Sequence, residues 1–253
     1  MSHELKKEEM DHFLYEVAKS YKKLNRNNPN AEIVLVGGAA VSVKYDFRSS
    51  TTDIDAIIKA GSTMKEVIQK VADENGLPGD WLNQDFKNTN SYSPKLSECS
   101  RFYKVFCQCL TIRTVEDEYL IAMKLCSARQ YKQDLSDIVG IIKEMQEKRK
   151  EISYEKIDSA MHYLYDGWEK VKPEIKEWLN EILNCTDLEQ LYYETRKNEK
   201  VNKKALIMAQ EEYKDDLNAD TADSFIKAFR EKALQEDKEE PEISEDGLEY
   251  GDD

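Results

Sequence analysis

Residues 32–58 read EIVLVGGAAVSVKYDFRSSTTDIDAII, and the fold turns on how this stretch is read. Ile33, Val34, Leu35 and Val36 are an apolar, β-rich run expected to form a buried strand, broken at Gly37-Gly38. Ala39, Ala40 and Val41 then open a helix. After the polar residues 48–52, Asp53-Ile54-Asp55-Ala56-Ile57-Ile58 reads as a second strand whose side chains alternate between faces. Asp53 and Asp55 therefore share one face, with Cα atoms roughly 6.6 Å apart by the strand rise.

Two carboxylates side by side on a strand repel each other unless a cation lies between them, and hard oxygen ligands suit Mg²⁺ held jointly with substrate phosphates. The glycine turn supplies the complementary half. Without Cβ atoms the backbone can approach a phosphate, and the N–H groups that open the next helix point at the anion. The plainer reading is a turn followed by an exposed strand start whose aspartates only aid solubility.

Val36-Gly37-Gly38, fourteen residues, then Asp53-Ile54-Asp55 resembles the first motif of the DNA polymerase β-like nucleotidyltransferase superfamily. The resemblance implies an α/β (α+β) nucleotidyltransferase fold: a small mixed sheet flanked by helices, here over residues 1–150. An all-helical domain over 151–235 and a disordered acidic tail over 236–253 are expected to follow. It also implies bound Mg²⁺ (or Mn²⁺) on Asp53 and Asp55, with an NTP as substrate.

A chain of 253 residues buries a sizeable core without a staple. Its five cysteines, 99, 107, 109, 126 and 185, form no CxxC pair and read as reduced thiols. No apolar run reaches the eighteen or so residues of a membrane span and the N-terminus lacks a signal-peptide core, so a soluble, cytoplasmic protein without membrane partners is expected. The formal net charge is -14, and ten acids against Lys238 over residues 236–253 supply -9 of it. Such a balance argues against a protein coated in nucleic-acid-binding charge, yet leaves room for a local basic groove.

Residues 4–24 carry Met10, Phe13, Leu14, Val17, Tyr21 and Leu24 at helical spacing. A helix with Met64, Val67, Ile68 and Val71 stops at Asn75-Gly76. Residues 77–87 read as a loop anchored by Trp81, and 103–111 as a third strand. Thr114 to Asp117 looks like a capping box for a helix that is apolar over most of its circumference, with Lys124 its only charge between Tyr119 and Ala128. That lysine either snorkels to the surface or reaches nucleotide phosphates. Asp134 and Asp137 begin another helix, where acids favour the dipole in any case. Helices are expected over 153–165, 173–183, 187–196, 203–213 and 222–234, their aromatic residues packing a small bundle.

The segments LPGDWLN at 77–83, EYLIAMKL at 118–125, Arg129 and DLSDI at 134–138 resemble an uncharacterised bacterial nucleotidyltransferase family related to toxin-type enzymes of toxin-antitoxin systems. By that resemblance Lys124 contacts the phosphates, and Asp134, with Asp137 as second choice, completes the metal site or acts as base. Gly37, Gly38, Arg48 and Ser49 cradle the β and γ phosphates. The superfamily places a third carboxylate on the strand after the paired acids, whereas residues 104–113 hold neither Asp nor Glu. The expected reaction is transfer of an NMP from an NTP to a hydroxyl of RNA or protein, in a toxin-antitoxin or phage-defence setting with a cognate antitoxin or regulatory partner. An inactive nucleotide-binding or protein-interaction module is the alternative, and a small-molecule acceptor such as an aminoglycoside the third.

Overall fold

The computed structural model describes residues 4–26, 29–150, 152–214, 216–218 and 221–239, with side chains up to 236. A two-residue strand β1 (Leu5–Lys6) leads into α1 (Lys7–Leu24), which buries Met10, Phe13, Leu14, Val17, Ala18 and Tyr21 along one stripe. β2 (Ala31–Leu35) is the apolar run read from the sequence, and α2 (Gly37–Lys44) starts at the glycine pair. A second short strand, β3 (Ser50–Thr51), pairs antiparallel with β1, and β4 (Ile54–Lys59) follows Asp53. α3 (Met64–Asn75) ends at Gly76, whose φ of 66° is the left-handed cap a glycine supplies without steric cost.

β5 (Leu82–Asn83) lies in what reads from sequence as loop. Trp81, fully buried, fixes its position by donating from Nε1 to the Ile68 carbonyl at 3.3 Å. Residues 103–111 are not one strand. The chain forms β6 (Ser100–Phe106), turns at Cys107 and Gln108 with φ of 51° and 58°, and returns as β7 (Leu110–Val115). Apolar alternation continues through the turn, which hides it. Thr114 belongs to β7, and the next helix, α4 (Asp117–Ser127), takes Glu116 as N-cap without a capping side chain, so the expected capping box is absent.

The principal sheet has the order β5-β4-β2-β7-β6. β2 runs antiparallel to β4 and parallel to β7, so the sheet is mixed as expected. α5 (Asp134–Glu147), α6 (Tyr154–Tyr165) and α7 (Pro173–Leu183) follow α4. The residues expected as two helices over 187–196 and 203–213 form a single one, α8 (Leu188–Glu212), because the polar stretch between them holds no Gly or Pro to break it. α9 (Ala222–Glu239) is the last element.

The chain divides into two units, Met1–Arg129 with Gln133–Tyr193, and Gln130–Lys132 with Glu194–Asp253. Residue 150, the expected boundary, lies within the first of these. Ile157, Ala160, Met161 and Leu164 of α6, and Leu179 and Ile182 of α7, bury their apolar faces in the same core as the sheet. The second unit has its own small clusters, Val201, Ala205 and Ala233 in one, Leu206, Ala222 and Ile226 in the other. Of the expected acidic tail, residues 236–239 close α9 and the remainder lies outside the described residues. Among the described residues no helix is long and apolar enough to cross a membrane.

Candidate active site

The glycine turn is built by the end of β2. Val36, the N-cap of α2, has no side-chain oxygen to offer, and the first turn of α2 contains no acid. The opening N–H groups of this helix therefore have no side-chain cap, the condition under which a helix start can take an anion. Gly37 adopts φ +53°, a left-handed conformation that a side chain resists, and the Val36 amide donates to the Asp55 carbonyl at 3.0 Å. That bond ties the turn to β4. A Cβ on Gly37 would stand 3.6 Å from Asp55 Oδ2, so turn and carboxylate border one space.

The alternation expected on the second strand is present. Ile54 and Ala56 are fully buried while Asp53 and Asp55 are partly exposed. Asp53 accepts from neutral donors, the Thr52 hydroxyl at 3.2 Å on Oδ1 and Asn83 Nδ2 at 3.4 Å on Oδ2. Asn83 stands in register with Asp55 across the β4–β5 ladder. Its own carboxamide is fixed twice, Nδ2 donating to the Asp80 carbonyl at 2.9 Å and Oδ1 accepting from the Asp85 amide at 2.8 Å. The strand of the paired acids is flanked by β5 and β2, not by the 104–113 region where a third acid was expected, and β5 brings an amide beside the acids. Periodicity could not have found a two-residue strand. Only the LPGDWLN segment marked it.

Arg48 lies against the turn from the other side. A Cβ on Gly38 would come within 2.5 Å of Arg48 Nη2 and 2.8 Å of Thr51 Oγ1, so glycine is what lets the guanidinium approach the backbone. Arg48 Nε donates to the Ser50 carbonyl at 3.2 Å and Nη1 pairs with Asp137. Ser49 beside it is exposed. The loop carrying both is pinned from α5: the Glu144 carboxylate accepts from the Asp46 and Phe47 amides at 2.8 and 3.1 Å, and the Phe47 ring fills the space left by Gly140. Burial opposes ionisation of Glu144, but Lys148 and these two amides hold its carboxyl below the ordinary range. Gly140 in mid-helix was the sequence signal for this close approach, and it went unread.

Lys124 and the two aspartates of α5 form a buried ionic cluster. Lys124 Nζ stands 2.6 Å from Asp137 Oδ2 and 3.2 Å from Asp134 Oδ1, with Lys124 and Asp134 3% exposed and Asp137 1%. Arg129 adds its Nε at 2.7 Å and its backbone amide at 3.3 Å to Asp134 Oδ2. Burial alone would raise the Asp134 pKa, but Lys124 and Arg129 overcome it and hold the carboxyl well below the usual range. Lys124 therefore does not snorkel: its ammonium ends inside the protein, on carboxylates. Neither aspartate is a solvent-facing cap, since Gln133 is the N-cap of α5.

Asp134, expected to complete the metal site, is instead committed to Lys124 and Arg129. Among the described residues no three His, Cys, Asp or Glu side chains converge on one ion position. The donor set that remains, Asp53 and Asp55 beside an open helix start, still suits a hard cation, because Mg²⁺ usually keeps several waters and takes one or two carboxylates plus substrate phosphates. The contiguous site is then Asn83, Asp53, Asp55, Gly37, Gly38 and Arg48, backed by Asp137, Lys124 and Asp134.

The chain is similar to a solved nucleotidyltransferase-like antigenic protein from Paracoccidioides brasiliensis, at 14% identity and a TM-score of 0.37, over 74% of this chain and 99% of that one. No curated protein matches the chain in sequence. Residues 12–176, which hold the glycine turn, the paired aspartates and the Lys124 cluster, match the family model described as nucleotidyltransferase of unknown function, DUF6036, and the chain belongs to that family.

Proposed function

We propose that the chain is a metal-dependent nucleotidyltransferase that moves an NMP from an NTP to an acceptor hydroxyl. The acceptor oxygen forms a bond to the α-phosphorus, the bond from that phosphorus to the β-bridging oxygen breaks, pyrophosphate leaves, and the hydroxyl proton passes to water. The observation that carries this reading is the close approach of Gly37 and Asp55, where a Cβ on the glycine would stand 3.6 Å from Asp55 Oδ2 at a helix start without a side-chain cap.

Each side of that space has a role. The amides of Gly37 and Gly38 and the Arg48 guanidinium would take the β and γ phosphates, with the exposed Ser49 hydroxyl within the same loop. Asp137 aims Arg48 at the turn, and Lys124 holds Asp137, so Lys124 acts on the phosphates through its neighbours. Asp53 and Asp55 would hold Mg²⁺ or Mn²⁺, which when bound neutralises charge on the α-phosphate and lowers the pKa of the attacking hydroxyl. Asn83 donates to the Asp53 carboxylate at 3.4 Å and also lines a cavity of about 530 Å³ that includes Asp80, Gln84 and Asp85. Its amides and carboxylates suit a hydroxyl-bearing acceptor group.

The resemblance to toxin-type enzymes extends this reading to a toxin-antitoxin or phage-defence setting with a neutralising partner. Incubation with each labelled NTP, Mg²⁺, and total cell RNA and protein tests the transfer, beside an Asp53→Asn, Asp55→Asn variant. Label on one class of molecule, lost in the variant, supports it. Equal labelling by the variant, or tight NTP binding with no transfer to any acceptor, favours the inactive nucleotide-binding module.

A further inference from the structure

A second concave region lies at the opposite end of β2 from the glycine turn. Lys19, Lys22 and Lys23 stand at i, i+3 and i+4 on one side of the C-terminal end of α1, and Arg26 follows just past its C-cap Asn25. With Val105 and the Cys107-Gln108 turn they line a depression of about 640 Å³. Cations at a helix C-terminus are common as simple dipole partners. Three features go beyond that.

First, four cations line one depression in a chain whose net charge is -14, against an adjacent acid, Glu16, which pairs with Lys19 at 3.3 Å. Second, the floor is structured: Lys22 Nζ donates to the Cys107 carbonyl at 2.8 Å, and the turn there is held by left-handed residues. Third, apolar and aromatic surface lies exposed beside the charges. Val105 is 48% exposed, and Tyr15, one turn before Lys19 and in edge contact with Phe106, is 43% exposed. Cations beside an exposed ring, with Lys19 Nζ 6.0 Å above the Tyr15 ring, suit a single-stranded nucleic acid, whose phosphates and bases need both.

The position fits an acceptor track. β2 spans five residues, so the depression and the glycine turn are roughly 17 Å apart by strand rise. The same end of α1 also borders the cavity that reaches Asn83: the Tyr21 hydroxyl accepts from the Gly61 amide at 2.8 Å, and Asn25 Nδ2 donates to Thr63 at 2.7 Å, with Gly61 on the cavity wall. We propose that Lys19, Lys22, Lys23 and Arg26 bind the phosphodiester backbone of a single-stranded RNA acceptor. This names the acceptor class of the transfer reading and rests on it for its role, although the binding can be measured alone.

The full chain is titrated with a fluorescein-labelled oligouridylate, and with the DNA counterpart, across a series of salt concentrations. The expected result is RNA binding that weakens steeply with salt, by about 0.7 in log-log slope for each phosphate neutralised. A K19E/K22E/K23E/R26E variant, and a milder all-glutamine version checked for unchanged circular dichroism and melting, should lose about tenfold or more in affinity and flatten that slope. D53N/D55N should bind as the wild type does. The proposal is overturned if wild type binds no oligonucleotide, if the variants bind equally well, if DNA binds better than RNA, or if only an acidic peptide competes for the patch. Transfer of label to a non-nucleic acceptor by a protein that ignores RNA would overturn this inference and spare the transfer reading. RNA binding without any transfer would do the reverse.

Discussion

The site contains two groups of carboxylates that share a fold and differ in what surrounds them. Asp53 and Asp55 stand partly exposed beside a helix start, and Asp53 takes its hydrogen bonds from a hydroxyl and an amide. Asp134 and Asp137 are buried, and Lys124, Arg129 and Arg48 bring three cations to two carboxylates. A buried acid must carry its counter-charge with it, because an unpaired charge in the interior costs several kcal/mol. The difference separates framework from function in the reading proposed above: there the first pair takes a cation and triphosphate, while the second holds the loop that carries Arg48.

That separation can be broken most directly at the exposed pair. Asp53→Asn or Asp55→Asn should lower transfer on the order of 10³-fold, since the cation supplies several kcal/mol of charge stabilisation. Thermal melting should stay within a degree or two of wild type. A variant that unfolds instead would show these aspartates to be framework as well.

The converse change is Lys124→Met. It leaves two buried carboxylates with fewer cations, and urea denaturation should show a loss of roughly 3–5 kcal/mol. Unchanged stability with lost NTP binding would move Lys124 to the functional side. Next comes Gly38→Ala, whose Cβ meets a guanidinium that can swing and a Thr51 hydroxyl that is held in β3. A cost of about 1–3 kcal/mol is expected, together with weaker NTP binding read by calorimetry.

Acid sharpens the comparison further. Because the folded-state pKa of Asp134 is depressed, its ionic stabilisation is full above the unfolded-chain value of about 3.9 and is lost as pH falls through the lower folded value. The stability gap between wild type and Asp134→Asn should therefore be widest at neutral pH and shrink below about pH 4. A gap that ignores pH would contradict the ionic account. The smallest effect is expected from Asn83→Ala, a few-fold rise in KM for the acceptor with little change in stability, as befits one carboxamide contact to Asp53.

Reading along the chain places the first carboxylate group together and leaves the partners of the second unread. Gly37, Gly38, Asp53 and Asp55 lie within nineteen residues, and strand alternation with turn chemistry suffices to place them. Lys124 and Asp134 were marked by a resemblance, yet their pairing with each other, and Arg48 with Asp137 across 89 residues, could not be read from spacing. The hairpin turn at Cys107-Gln108 shows the same limit in miniature. Two non-glycine residues with positive φ interrupt a run whose hydrophobic pattern looks continuous.

The sequence by itself determined the local elements: the strand that ends in two glycines, the alternation that puts Asp53 and Asp55 together, and the stripes that make α1 and α3 amphipathic. Those follow from short-range periodicity and backbone preference. Only the tertiary structure decided that Asn83 stands beside the aspartates, that α6 and α7 join the first unit's core, and that Lys124 is buried on carboxylates. These depend on which apolar faces and which charges meet after collapse, and burial makes such meetings obligatory without writing them into any one window of the chain.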